Sequence, residues 1–99
     1  MACWPRPEVA VSRGDRRLER RSRAEGFFAP ESIDAVLDLF EVMELAWHDL
    51  YGDVAPPEDL LDDVMLLSEG RLDRLVATVR LALADWRDVR VAASERRSQ

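Results

Sequence analysis

Between Pro30 and Ala93 the large apolar residues return every three to four positions, and only Gly52 to Pro57 and Gly70 interrupt the rhythm. That spacing puts side chains on one face of an α-helix, whereas a half-buried strand needs strict alternation, which no segment shows. An all-α fold follows. After Gly26, Pro30 suits a first helical position, with Glu31 and Asp34 where the helix dipole favours anions. Ile33, Val36, Leu39, Phe40, Met43, Trp47, Leu50 and Tyr51 then fall within about 120° of arc, a core-facing stripe, and Gly52 closes the helix.

A second, shorter helix is expected from Pro56 or Pro57 to about Glu69. Leu60, Leu61, Val64 and Leu67 face inward, with Asp59, Asp62, Asp63 and Glu69 facing solvent. Past Gly70, residues 71–93 carry a third stripe of Leu72, Leu75, Val76, Val79, Ala82, Leu83, Trp86 and Val89 on a helix about 35 Å long. Short connections favour antiparallel neighbours. The expected architecture is a three-helix bundle of two long antiparallel helices and one shorter helix. A chain of 99 residues supports one such domain, placed at 27–93. Residues 1–26 read as a flexible Arg-rich tail, or an over-long start, because Leu18 is the one large apolar residue in their arginine run; residues 94–99 read as a second flexible tail.

All 14 basic residues are arginine. Without lysine there is no Schiff base, no pyridoxal attachment and no phosphate-loop amine. The single cysteine, Cys3, makes no internal disulfide and no paired-cysteine metal or redox motif. No apolar run approaches the roughly 18 residues of a membrane span, and the N-terminus lacks the apolar core of a secretory signal. A cytoplasmic protein without a membrane partner is expected.

Charge is laid out in blocks: net +3 over residues 1–26, −12 over 27–70 where no arginine occurs, and +3 over 71–99, leaving −6. Such blocks suit contact with one another or with a charged partner. Glu41, Glu44 and His48 share one side of the first helix, but a carboxylate-bridged metal site in a bundle needs Glu-x-x-His pairs from two helices, all pointing inward. Here the spacing is Glu-x-x-x-His and it occurs once, so a solvated helix face is expected and no metal or cofactor. No serine lies in a nucleophile-type turn, and the four glycines are too scattered to cradle phosphate. A catalytic site is not expected.

Two surfaces remain. Each long helix also carries a second, weaker apolar strip, Val42 and Leu45 on the first and Ala77, Leu81, Ala84 and Val91 on the third, suited to another protein or a second copy. Arg13, Arg16, Arg17 and Arg20 would share one face of a helix, as contacts for an acidic surface or nucleic acid. Over residues 30–93, the stretches YGDVAPPEDLLDDV and LALADWRDVRVAA resemble small, uncharacterised helical proteins of GC-rich actinobacteria; the resemblance implies no activity. The expected function is a small non-enzymatic protein–protein interaction module, a regulator, adaptor or antitoxin-like binder able to form a homodimer. The alternative is a nucleic-acid-associated regulator using the arginine tail.

Overall fold

The computed structural model describes residues 13–53 and 55–99. It is all-helical, with four helices among the described residues: α1 (Arg13–Ala24), α2 (Ile33–Tyr51), α3 (Glu58–Ser68) and α4 (Leu72–Arg97). No described helix is long and apolar enough to cross a membrane. The starts and stops follow the expected chemistry. Pro30–Ser32 form a 3-10 turn that leads into α2. Gly52, at φ 78, ends α2 with its N–H donating to the His48 carbonyl at 2.9 Å. Pro57 precedes α3, whose first turn carries Glu58 and Asp59.

Two expectations fail. The first is the flexible tail where it covers residues 13–26, since residues 13–24 form α1 and bury Arg20 and Ala24 completely or nearly so; residues 1–12 of that expected tail lie outside the described residues. Arg21 meets Asp34, Arg17 meets Asp38 and Glu41, and Arg16 meets Glu44. Contacts that ascend one helix as they descend the other make α1 antiparallel to α2. At the other end α4 continues to Arg97, and Arg96 and Arg97 bind Glu69 and Asp63, so the C-terminal segment is not a free tail.

The second is the straight third helix. Asp85 has φ −157 and ψ 95, extended backbone in the middle of α4. Glu69 binds both Arg74 and Arg96, which a straight helix would hold about 33 Å apart, beyond the reach of two arginines to one carboxylate. The chain therefore doubles back at Asp85. Going outward, α4 lies antiparallel to α3 from their shared turn; returning, it runs alongside α3 in the same direction, pairing Asp59 with Arg90, Asp63 with Arg97 and Glu69 with Arg96. The two long antiparallel helices of the sequence pattern become one unbroken helix, α2, and a hairpin.

The reversal is chemically complete. Asp85 accepts the Arg87 N–H at 3.1 Å, an N-cap for the returning half. In an unbroken helix that N–H would serve the Leu83 carbonyl, which instead accepts the Tyr51 hydroxyl at 3.3 Å. Trp86, the first residue of the returning half, turns partly outward and is 37% exposed.

Inside lie Val36, Phe40 and Met43 of α2, Leu60, Leu61 and Val64 of α3, and Leu75, Val79, Ala82 and Val89 of α4. Leu50 and Tyr51, expected inside, are exposed, as are Leu72 and Val76, because the reversal removes the long partner those positions needed. Leu37 and Met65 take buried places instead. The α3–α4 turn passes through Glu69 (φ 55) and Gly70 (φ 75), and a Cβ at Gly70 would sit 2.6 Å from the Phe27 carbonyl oxygen. Only glycine allows that approach.

Asp85→Ala should lower stability by about 1 kcal/mol through loss of the cap. A thermal melt checks this, and Asp85→Asn should recover most of the loss. Gly70→Ala should cost more, since its φ and the Phe27 carbonyl both oppose the new methyl group.

Candidate functional site

Two constellations of polar chemistry stand out, one buried and ionic, one open and aromatic. The ionic one joins three helices. Glu44 of α2, 2% exposed, accepts from Arg16 at 2.9 and 3.1 Å and from Arg20, whose second terminal nitrogen donates to Glu58 of α3 at 2.9 Å. Arg23 extends the chain to Glu58 and, at 2.7 Å, to Asp62. Burial alone would raise the Glu44 pKa; the hydrogen bonds and charges of Arg16 and Arg20 outweigh it and hold the carboxyl below the usual glutamate range.

This arrangement reassigns the residues singled out in the sequence. Glu44 and Asp63, expected on solvated faces, are buried: α1 covers the first, and Arg90 and Arg97 of the returning helix cover the second. Arg16, Arg17 and Arg20, expected as contacts for an external charge, bind carboxylates of the same chain. Arg13 opens α1, and its side chain lies outside the described residues, as does Cys3. His48 is exposed, its Nδ1 3.9 Å from Asp49, and it does not join Glu41 and Glu44. Among the described residues no group of His, Cys, Asp and Glu is placed to hold a metal ion.

The residues of the two expected apolar strips are exposed. Val42 and Leu45 lie opposite Phe40 and Trp47 on α2, while Ala77, Leu81 and Ala84 lie opposite Leu75 and Ala82 on the outgoing half of α4. Since both helices face one core, their outer sides point away from each other. Val91 is on the returning half, so the break at Asp85 takes it out of register with Leu81.

The open constellation lies where the C-terminus of α2, the connection to α3 and the reversal of α4 come together. A cleft of about 450 Å³ is walled by Trp47, Tyr51, Pro57, Leu60, Trp86 and Arg90, with Asp53 and Asp59. Trp47 and Tyr51 stack obliquely, ring centroids 4.4 Å apart and planes at 46°. Trp47 is 4% exposed, and its indole N–H has no acceptor among the described residues. Arg90 is fully engaged, donating to Asp59 at 2.8 Å and to Asp63 at 3.4 Å. Asp53 has no cationic partner among the described residues.

From sequence alone Trp86 and Tyr51 read as core, and no feature of periodicity could show otherwise. The available signal was Asp85 itself, a cap-type residue in the middle of an apolar pattern. Compared with protein-family models, with curated proteins and with solved structures, the chain finds no match in any of the three.

Glu44→Gln should cost about 3 kcal/mol, because Arg20 stays buried beside a weakened partner. The sign of its pH dependence is fixed by the lowered folded-state pKa. The stabilisation is complete above the ordinary glutamate value of about 4.3 and disappears as the pH falls through the lower folded value. Melts recorded down that range should converge for wild type and Glu44→Gln. A chain beginning at Phe27 removes α1 and leaves Glu44 without Arg16 or Arg20, so it should melt well below the full chain.

Proposed function

We propose that this chain is a non-enzymatic protein–protein interaction module, and that the aromatic cleft at the reversal of α4 is its binding site. The observation that carries this is the placement of Trp47, Tyr51 and Trp86 around one open cleft, with a buried indole N–H awaiting an acceptor. Tyrosine, tryptophan and arginine are the side chains that contribute most to protein interfaces. Buried donors are otherwise nearly always satisfied. Tyr51 and Trp86 are 41% and 37% exposed, so large aromatic surfaces stay wet in a chain with little core to spare.

The arginine-tail alternative is less well supported, since a phosphate would have to displace Glu41, Glu44 and Glu58 from Arg16, Arg17 and Arg20. Self-association fits the same class of function. Ala77 and Ala84 are one heptad apart with Leu81, 40% exposed, between them, and alanines let a second helix approach closely. Sedimentation at tens of micromolar should show a dimer that Leu81→Glu dissociates.

For the cleft, a displayed library of random peptides screened against the full chain should enrich binders. These should be lost on Trp86→Ala, a change at a half-exposed position that leaves a cooperative melt, whereas Trp47→Ala should cost about 3 to 5 kcal/mol and compromise the fold. No enrichment, or binders indifferent to Trp86→Ala, would remove the cleft as the binding site.

A further inference from the structure

Building on the assignment of the cleft to protein binding, we propose that its occupant is an arginine-bearing segment of a partner protein. On this proposal the guanidinium lies between Asp53 and the aromatic faces of Tyr51 and Trp86, and a backbone carbonyl of the segment accepts from the Trp47 indole.

Charge selects the cation. The cleft holds two carboxylates and one guanidinium, and that guanidinium is already committed to Asp59 within the cleft and Asp63 beside it. An anionic ligand would meet a guanidinium already neutralised by two carboxylates. Asp53, exposed in the connection after Gly52, is the one charged wall without a partner among the described residues. A cation arriving there meets a carboxylate it need not take from another residue.

Aromatic geometry selects arginine among cations. A planar guanidinium stacks on an indole or phenol face while its edge forms two parallel hydrogen bonds to a carboxylate, which an ammonium cannot do. One guanidinium of the chain already stands near this ring, Arg87 lying 5.9 Å from the Trp86 centroid.

The orphan donor selects a peptide over a lone cation. The Trp47 N–H needs an acceptor, which a cation alone lacks and a backbone carbonyl beside the arginine supplies. The indole nitrogen is itself buried, so access to it requires a local rearrangement of the cleft wall. Tyr51, at the last position of α2, stacks on Trp47 and makes one long hydrogen bond, at 3.3 Å.

The test uses the full chain and three pools of acetylated, amidated pentapeptides with randomised flanks and a fixed central arginine, citrulline or glutamate. Citrulline keeps the shape and loses the charge. Binding followed by tryptophan fluorescence and calorimetry should favour the arginine pool at least tenfold over the other two. Asp53→Asn should abolish that preference while leaving the thermal melt unchanged, and added salt should weaken binding of the arginine pool selectively. Equal binding of arginine and citrulline pools, or no effect of Asp53→Asn, overturns the arginine assignment and leaves a peptide site of other specificity. Preference for the glutamate pool overturns it in favour of Arg90. N-acetylarginine amide binding as tightly as the pool would make the cleft a site for small cations and overturn the proposal. If no pool binds, the assignment of the cleft to protein binding fails with it.

Discussion

Glu44 is a carboxylate placed among apolar residues, and the architecture around it follows from the need to neutralise it there. On α2 it lies within about 40° of Phe40, inside the arc of the core. Left alone, a charge so buried would cost several kcal/mol. Arg16 and Arg20 answer it from α1, and because Arg20 also reaches Glu58, one carboxylate fixes the positions of three helices. α1 places only Ala24 in the apolar core, so its docking rests on charge more than on any other helix of the bundle. Apolar residues can often replace a buried ion pair without loss of stability, whereas removing one partner of the pair leaves a bare charge inside.

The helical character, the ends of α2 and α3 and most of the core were legible in the sequence, because periodicity and glycine or proline punctuation act locally. Phe40, Met43, Val64 and Val79 are buried where their phase puts them. What periodicity could not convey is which polar face meets another chain segment. The arginine face of residues 13–20 and the acidic face of α2 were each visible as separate stripes. Joining them requires the long-range information that the blocks of opposite charge only hinted at. A run that reads as a tail for want of leucine can therefore pack through guanidinium groups, whose stems cover apolar surface while their heads find carboxylates.

The reversal in α4 was hidden for a different reason. Leu75, Val79, Ala82, Trp86 and Val89 keep a helical phase straight through Asp85, so one extended residue leaves the pattern intact while changing the direction of the chain. The signal lay in the cap chemistry of aspartate, which competes with the helix for its own backbone. Of the candidate site, Asp53 and Arg90 were visible as charges and Trp47 and Trp86 as aromatics, but their meeting depends on the turn. The site is thus a product of the break: without it Trp86 would continue along a helix face, and the carbonyl bound by Tyr51 would be occupied.

The doubled-back α4 also bears on how the molecule forms. α3 and the outgoing half of α4 are joined by a three-residue turn, so they can assemble through contacts of short sequence separation and small loop-closure entropy, whereas the returning half meets α3 across 27 to 34 residues. α1 reaches Glu44 and Glu58 across 24 to 38 residues. Helical hairpins of low contact order close on the microsecond-to-millisecond scale. Counterions divide the charge that holds α1, screening the exposed Arg21–Asp34 pair while leaving the buried Arg20–Glu44 pair largely untouched.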